Sequence, residues 1–150
     1  MKKKIIELIA TFFYVGYIPF IPGTAASIIT TIAFFFLPDL SFQITIAVWM
    51  SIFIIGTWIS GFMEQQLQIL DAPCIVIDEV LGMSISLFLV PKSIFYYCLA
   101  FVIFRFFDII KPFPVSFFEK QFNGGWGIML DDVAAAAYTL IFMKLFLYFF

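Results

Sequence analysis

Five carboxylates in this chain have the type and spacing a hard cation requires: Asp78 beside Glu79, Asp108 three residues after Arg105, and Asp131 beside Asp132. Histidine is absent, and the two cysteines, Cys74 and Cys98, lie in or beside apolar runs without CxxC spacing, which reads as small buried hydrophobes rather than a zinc or redox pair. Oxygen donors alone point to Mg2+, which binds through one or two carboxylates together with substrate phosphate. Arg105 and Lys111 would clamp that phosphate. Thr24, in Pro22-Gly23-Thr24, and the glycines Gly124, Gly125 and Gly127 of the segment Asn123-Gly124-Gly125-Trp126-Gly127 are further phosphate-binding candidates, since a glycine backbone lets N–H groups approach phosphate oxygens closely. Plainer readings stand beside these. Arg105 and Asp108 share a helical face and can neutralise each other, the glycines can form a tight turn, Gly82 with Ser86 can be a packing face, and Pro112 and Pro114 can simply end a helix.

The elements that must position these residues follow from composition. Of 150 residues 64% are hydrophobic and 12% charged, against roughly 25% charged in an ordinary soluble domain, and the mean hydropathy is +1.12. One small core cannot bury that much apolar surface, so the expectation is a single membrane-embedded domain over residues 1–150. A net charge of −2 excludes a phosphate-neutralising nucleic-acid surface, and nothing points to a protein partner. A helical crossing takes about 17 to 25 mostly apolar residues. Segments 24–37, 42–63, 75–90, 93–110 and 133–150 approach or meet this, the first being short enough to re-enter, and 5–17 reads as an interfacial helix ended by Pro19 and Pro22. The fold class is therefore an all-α, polytopic bundle of four to five transmembrane helices.

Lys2, Lys3 and Lys4 place the N-terminus in the cytoplasm, and Lys111 and Lys120 agree, with Lys92 dissenting. Alternating crossings then bring Pro22-Gly23-Thr24, Asp78-Glu79, Arg105 with Asp108, and Asp131-Asp132 to one level, the cytoplasmic face. Charges inside a membrane protein need partners, and five acids against two nearby cations do not cancel. Asp108, Glu79, Asp131 and Asp132 are accordingly candidates for catalysis as well as for the cation. With a helix starting near Asp131, the two adjacent acids project about 100° apart and must divide the labour, one ligating the cation and the other accepting a proton from water.

Familiar phosphoryl-transfer devices are absent: there is no P-loop, no Asp-x-Asp, no histidine nucleophile, and six residues separate Cys98 from Arg105, one too many for a cysteine phosphatase loop. The CDP-alcohol phosphotransferase pattern is missing too. The remaining chemistry is metal-activated water attacking a phosphomonoester, or direct carboxylate attack. The rival reading is a small ion transporter or scaffold, but a cation path would have to continue across the outer half, which offers only Lys144, Lys92, Asp39 and hydroxyls.

Taken in order, Pro22-Gly23-Thr24, Asp78-Glu79-x-x-Gly82, Phe104-Arg105-x-x-Asp108-x-x-Lys111-Pro112-x-Pro114 and Gly124-Gly125-x-Gly127-Ile128-Met129-x-Asp131-Asp132 resemble the phosphatidylglycerophosphatase A family from about Gly16 to Ala135. The resemblance implies a Mg2+-dependent, multi-pass enzyme of the bacterial inner membrane that removes the terminal phosphate of phosphatidylglycerophosphate in phospholipid biosynthesis. It departs at Ile18-Pro19, Ala26-Ser27 and Glu119, outside the acidic core. A phosphatase acting on another lipid monoester stays open, because head-group choice leaves no residue signature.

Overall fold

The computed structural model describes residues 2–113 and 115–149. Pro114 lies outside the described residues, as do the side chains of Lys2, Phe118, Glu119 and Lys120. Every regular element described is helical: α1 (Lys2–Ala10), a 3-10 turn (Val15–Tyr17), α2 (Pro22–Phe36), α3 (Phe42–Leu67), α4 (Ile77–Ser86), α5 (Ile94–Ile110), α6 (Val115–Gln121) and α7 (Gly125–Phe149). Two of them, α3 with 26 residues and α7 with 25, are long and apolar enough to cross a membrane.

Contacts at the two ends show that α2, α3, α4, α5 and α7 run alternately up and down. At one end Lys92 bridges Asp39 at 2.7 Å and Phe35 meets Tyr97 edge-on. At the other end Lys111 bonds Asp131, and the backbone of α7 at Gly125 abuts α3 at Thr57 and Gly61. Several hydroxyls inside the bundle are satisfied locally: Ser27, Thr30, Ser86 and Thr139 each donate to the carbonyl four residues earlier, which lets them sit in an apolar interior. Ile32, Phe36, Ile54, Trp58, Ile141 and Leu145 are exposed on the outer faces of α2, α3 and α7, as a lipid solvent permits.

Several sequence expectations shift. Segment 75–90 is not one long helix: α4 has ten residues, followed by turns to Val90, and it is buried among α2, α3, α5 and α7. Its apolar residues reflect burial among neighbouring helices rather than contact with lipid. The N-terminal helix stops at Ala10, short of Tyr17, and the chain then passes through Phe12, Phe13 and Tyr14 with φ of 45°, 57° and 68°. The loop expected between Lys111 and Leu130 contains α6, and α7 begins at Gly125 rather than near Asp131. Cys98 is exposed, not buried; both cysteines are free. Pro112 does follow the end of α5, behind Lys111 in the left-handed conformation.

Candidate active site

At the end where α2 and α7 begin, a cleft of about 460 Å3 opens among α2, α4, α5 and α7. Each carboxylate reaches it for a local reason. Asp78 and Glu79 occupy the first turn of α4, where negative charge complements the helix dipole. Asp108 lies in the last turn of α5, and Asp131 and Asp132 lie in the second turn of α7. These last two are buried, with 5% and 2% of their surface exposed.

The structure sorts the five acids. Asp78, Glu79 and Asp132 each turn an oxygen inward so that the three atoms lie within 4.8 Å of one another. Asp78 Oδ1, Glu79 Oε2 and Asp132 Oδ2 are buried without a hydrogen-bond partner among the described residues. Asp108 instead pairs with Arg105, Oδ2 to Nη1 at 2.6 Å, and the same Nη1 lies 3.9 Å from Glu79 Oε1. Asp131 Oδ2 accepts from Lys111 Nζ at 2.7 Å, and its other oxygen from the Asp132 N–H at 3.0 Å. The intrahelical Arg105–Asp108 pair therefore exists, but it lines the cleft and leans on Glu79 rather than facing lipid.

Asp78, Glu79 and Asp132 thus each bring an oxygen to one cluster and each keep a buried oxygen without a partner among the described residues. Clustered carboxylates repel unless they are protonated or a cation bridges them, and buried acids without compensation are costly. The donor set is all oxygen. It fits Mg2+.

Backbone completes the site. Gly23 is required by packing, because a Cβ there would run into Glu79 Oε1. Pro22 takes the first helical position of α2, and the Ala25 N–H is the first to bond back, to Ile21 at 2.9 Å. The amides of Gly23 and Thr24 precede it in the orphan first turn, where a helix favours anions. Thr24 lines the cleft. Gly124, Gly125 and Gly127 do not. Gly125 belongs to α7 and packs so closely on α3 that a Cβ would overlap the Thr57 carbonyl, a packing role, while Gly124 and Gly127 line a smaller cavity of about 180 Å3 that shares Asp71 and Asp131 with the cleft. Gly82 likewise presses against the Phe104 ring.

Two acids escaped the sequence reading. Asp71 lines the cleft from the segment between α3 and α4, and its N–H donates to Oε1 of buried Glu64 at 2.7 Å. Their signal was position: both lie in the segment assigned to the same membrane level as the motifs. Three cleft residues, Phe20, Asp71 and Lys111, have positive φ of 72°, 46° and 48°. Strain of this kind gathers at functional sites.

The family model described as Phosphatidylglycerophosphatase A matches residues 8–147, taking in every side chain of this cleft. The chain belongs to the phosphatidylglycerophosphatase A family. Relatives agree over most of their length. A protein of Haemophilus influenzae named phosphatidylglycerophosphatase A is 37% identical over 138 residues, 91% of this chain and 85% of that protein. Its namesake in Escherichia coli is 34% identical over 130 residues, 86% and 76% of the two chains. A Bacteroides thetaiotaomicron protein named putative phosphatidylinositol-3-phosphatase is 39% identical over 142 residues, 89% and 88%. No solved structure matches significantly. As a member of the phosphatidylglycerophosphatase A family the chain is a phosphatase, and the two long apolar helices suit a membrane protein.

Proposed function

We propose that this chain is a single membrane-embedded domain that hydrolyses phosphatidylglycerophosphate to phosphatidylglycerol and inorganic phosphate. In this reading α2, α3, α4 with its following turns, α5 and α7 traverse a bacterial inner membrane, and the cleft faces the cytoplasm. The observation that carries the reading is the trio of unpartnered oxygens on Asp78, Glu79 and Asp132 beside two cations, Arg105 and Lys111, in one cleft.

Asp78, Glu79 and Asp132 would hold Mg2+, which when bound supplies charge stabilisation to the phosphoryl oxygens and lowers the pKa of water. Arg105 and the first-turn amides of α2 bind the terminal phosphate, with Asp108 orienting the guanidinium through the 2.6 Å pair. Asp131, bonded to Lys111 rather than to the trio, is the carboxylate left to accept a proton from the attacking water. The water oxygen forms the new bond to phosphorus, the bond from phosphorus to the head-group glycerol oxygen breaks, and that oxygen leaves as a hydroxyl. Lys111, beside Asp131, is placed to deliver the proton it needs.

Purified protein in detergent, given phosphatidylglycerophosphate and Mg2+, should release phosphate, and release should stop with chelator. Silence under every divalent cation tested would sink the reading in favour of a transporter or scaffold. The second reading is a phosphatase for another lipid monoester, favoured by the name of the Bacteroides relative. Phosphatidylinositol 3-phosphate in the same assay separates the two, and we expect the lower kcat/KM on it.

A further inference from the structure

Phe20 is the odd residue of the cleft. It is 99% exposed, yet it holds φ at 72°, a conformation that suits glycine and strains a phenylalanine. Phe13 and Tyr14 share the left-handed backbone, but theirs is the hydrogen-bonded end of α1: the Phe13 N–H donates to Leu8 at 2.8 Å and the Tyr14 N–H to Thr11 Oγ1 at 3.1 Å. Phe20 stands instead in the short link between Pro19 and the start of α2. A glycine there would remove the strain, so the backbone conformation does not account for the residue.

What Phe20 does is edge the cleft. Together with Ile21, 52% exposed, and Ile109, 69% exposed, it forms an apolar lip on a cavity that also holds the acids and cations above, the start of α2, Pro73 and the buried Ile75. A phosphorylated lipid has the same two-part chemistry. Its phosphate needs the charged floor, and its diacylglycerol end has to leave over a surface that does not hydrate it. We propose that Phe20, with Ile21 and Ile109, is the lipid-recognition lip of this site, seating the glycerol backbone and first acyl methylenes of the substrate as they pass between the start of α2 and the end of α5. The inference rests on the lipid phosphatase reading and adds to it a source of selectivity for membrane-borne over water-soluble phosphomonoesters.

The test compares two probes that carry the same phosphorylated head group: a dioleoyl lipid in mixed micelles, and a dibutanoyl analogue that is monomeric in water. In Phe20→Gly the KM for the dioleoyl probe, divided by that for the dibutanoyl one, should rise about tenfold, the contribution expected of one partly buried aromatic side chain. The effect should fall in KM rather than kcat, and the thermal midpoint should not drop, because glycine accepts the backbone. Phe20→Leu, which keeps an apolar side chain, should recover most of the ratio. An unchanged ratio in Phe20→Gly, or an equal loss on both probes, overturns the lip. A wild-type protein inactive on both probes would remove the phosphatase reading and the lip with it.

Discussion

At the scale of single residues, the neighbouring acids of α7 make the sharpest predictions. Their backbone positions differ by about 100° around the helix, and they point into different company: Asp132 toward Asp78 and Glu79, Asp131 toward Lys111. Asp132→Asn and Asp131→Asn should each lower the rate at least ~100-fold, the lower end for losing a group that acts in proton transfer or holds the reacting centre. Only the Asp132→Asn enzyme should regain activity as Mg2+ is raised. A rate titration of both variants against Mg2+, with equal protein in the membrane, checks this, and identical titration curves would contradict the division. That these acids share a site was legible from motif order and alternating crossings. Which acid does what was not, because spacing along a chain says nothing about whether a lysine 20 residues away closes on one oxygen. Asp71 and Glu64 were less legible still, since their tie runs through a backbone N–H that any residue possesses.

Helices position this site through two glycines. Gly23 lets α2 approach α4 until Glu79 Oε1 fills the space a methyl group would need. Gly23→Ala must displace a carboxylate from the trio, so phosphate release should fall by ~100-fold or more while the protein still folds, comparable to losing the carboxylate's function outright. Near-normal turnover would show that Glu79 is free to move. Gly125→Ala meets backbone instead, the Thr57 carbonyl and the Gly61 nitrogen of α3, which cannot rotate away. It should lower stability by about 1–3 kcal/mol, the usual cost of overpacking, read as a lower thermal midpoint in detergent. The same contact explains why the start of α7 was misplaced from sequence. Three glycines in four positions signal a loop by propensity, and only the approach of another helix, invisible in one chain's local pattern, accommodates Gly125 and Gly127 in α7, with Gly124 left in a turn at φ of 71°. The short α4 was overestimated for the converse reason: an apolar run bounded by turns looks alike whether lipid or protein surrounds it.

For the whole molecule the testable quantity is which ends lie on the same side. Lys3 Nζ donates to Gln66 Oε1 at 2.7 Å, so Lys3 accompanies the C-terminal end of α3, while the Lys92–Asp39 pair marks the opposite end of the bundle. In a chain with Cys98 replaced, Asp39→Cys should react with an impermeant thiol reagent only from outside the cell. Cys74 should contribute little background, because burial pushes its thiol up and keeps it protonated. Labelling only from the cytoplasmic side would overturn the crossing order. The ten-residue α4 has one more consequence, for assembly. It spans about 15 Å at 1.5 Å per residue and opens with two acids, so it cannot partition into a bilayer unaided. The ribosome makes it before α5 and α7, which cover it in the finished bundle. In the proposed membrane-embedded arrangement the third oxygen of the trio belongs to Asp132 on α7, so the trio stays incomplete until α7 packs on α4. A chain halted before α7 would then lack both the third oxygen of the trio and the helix that packs most extensively on α4.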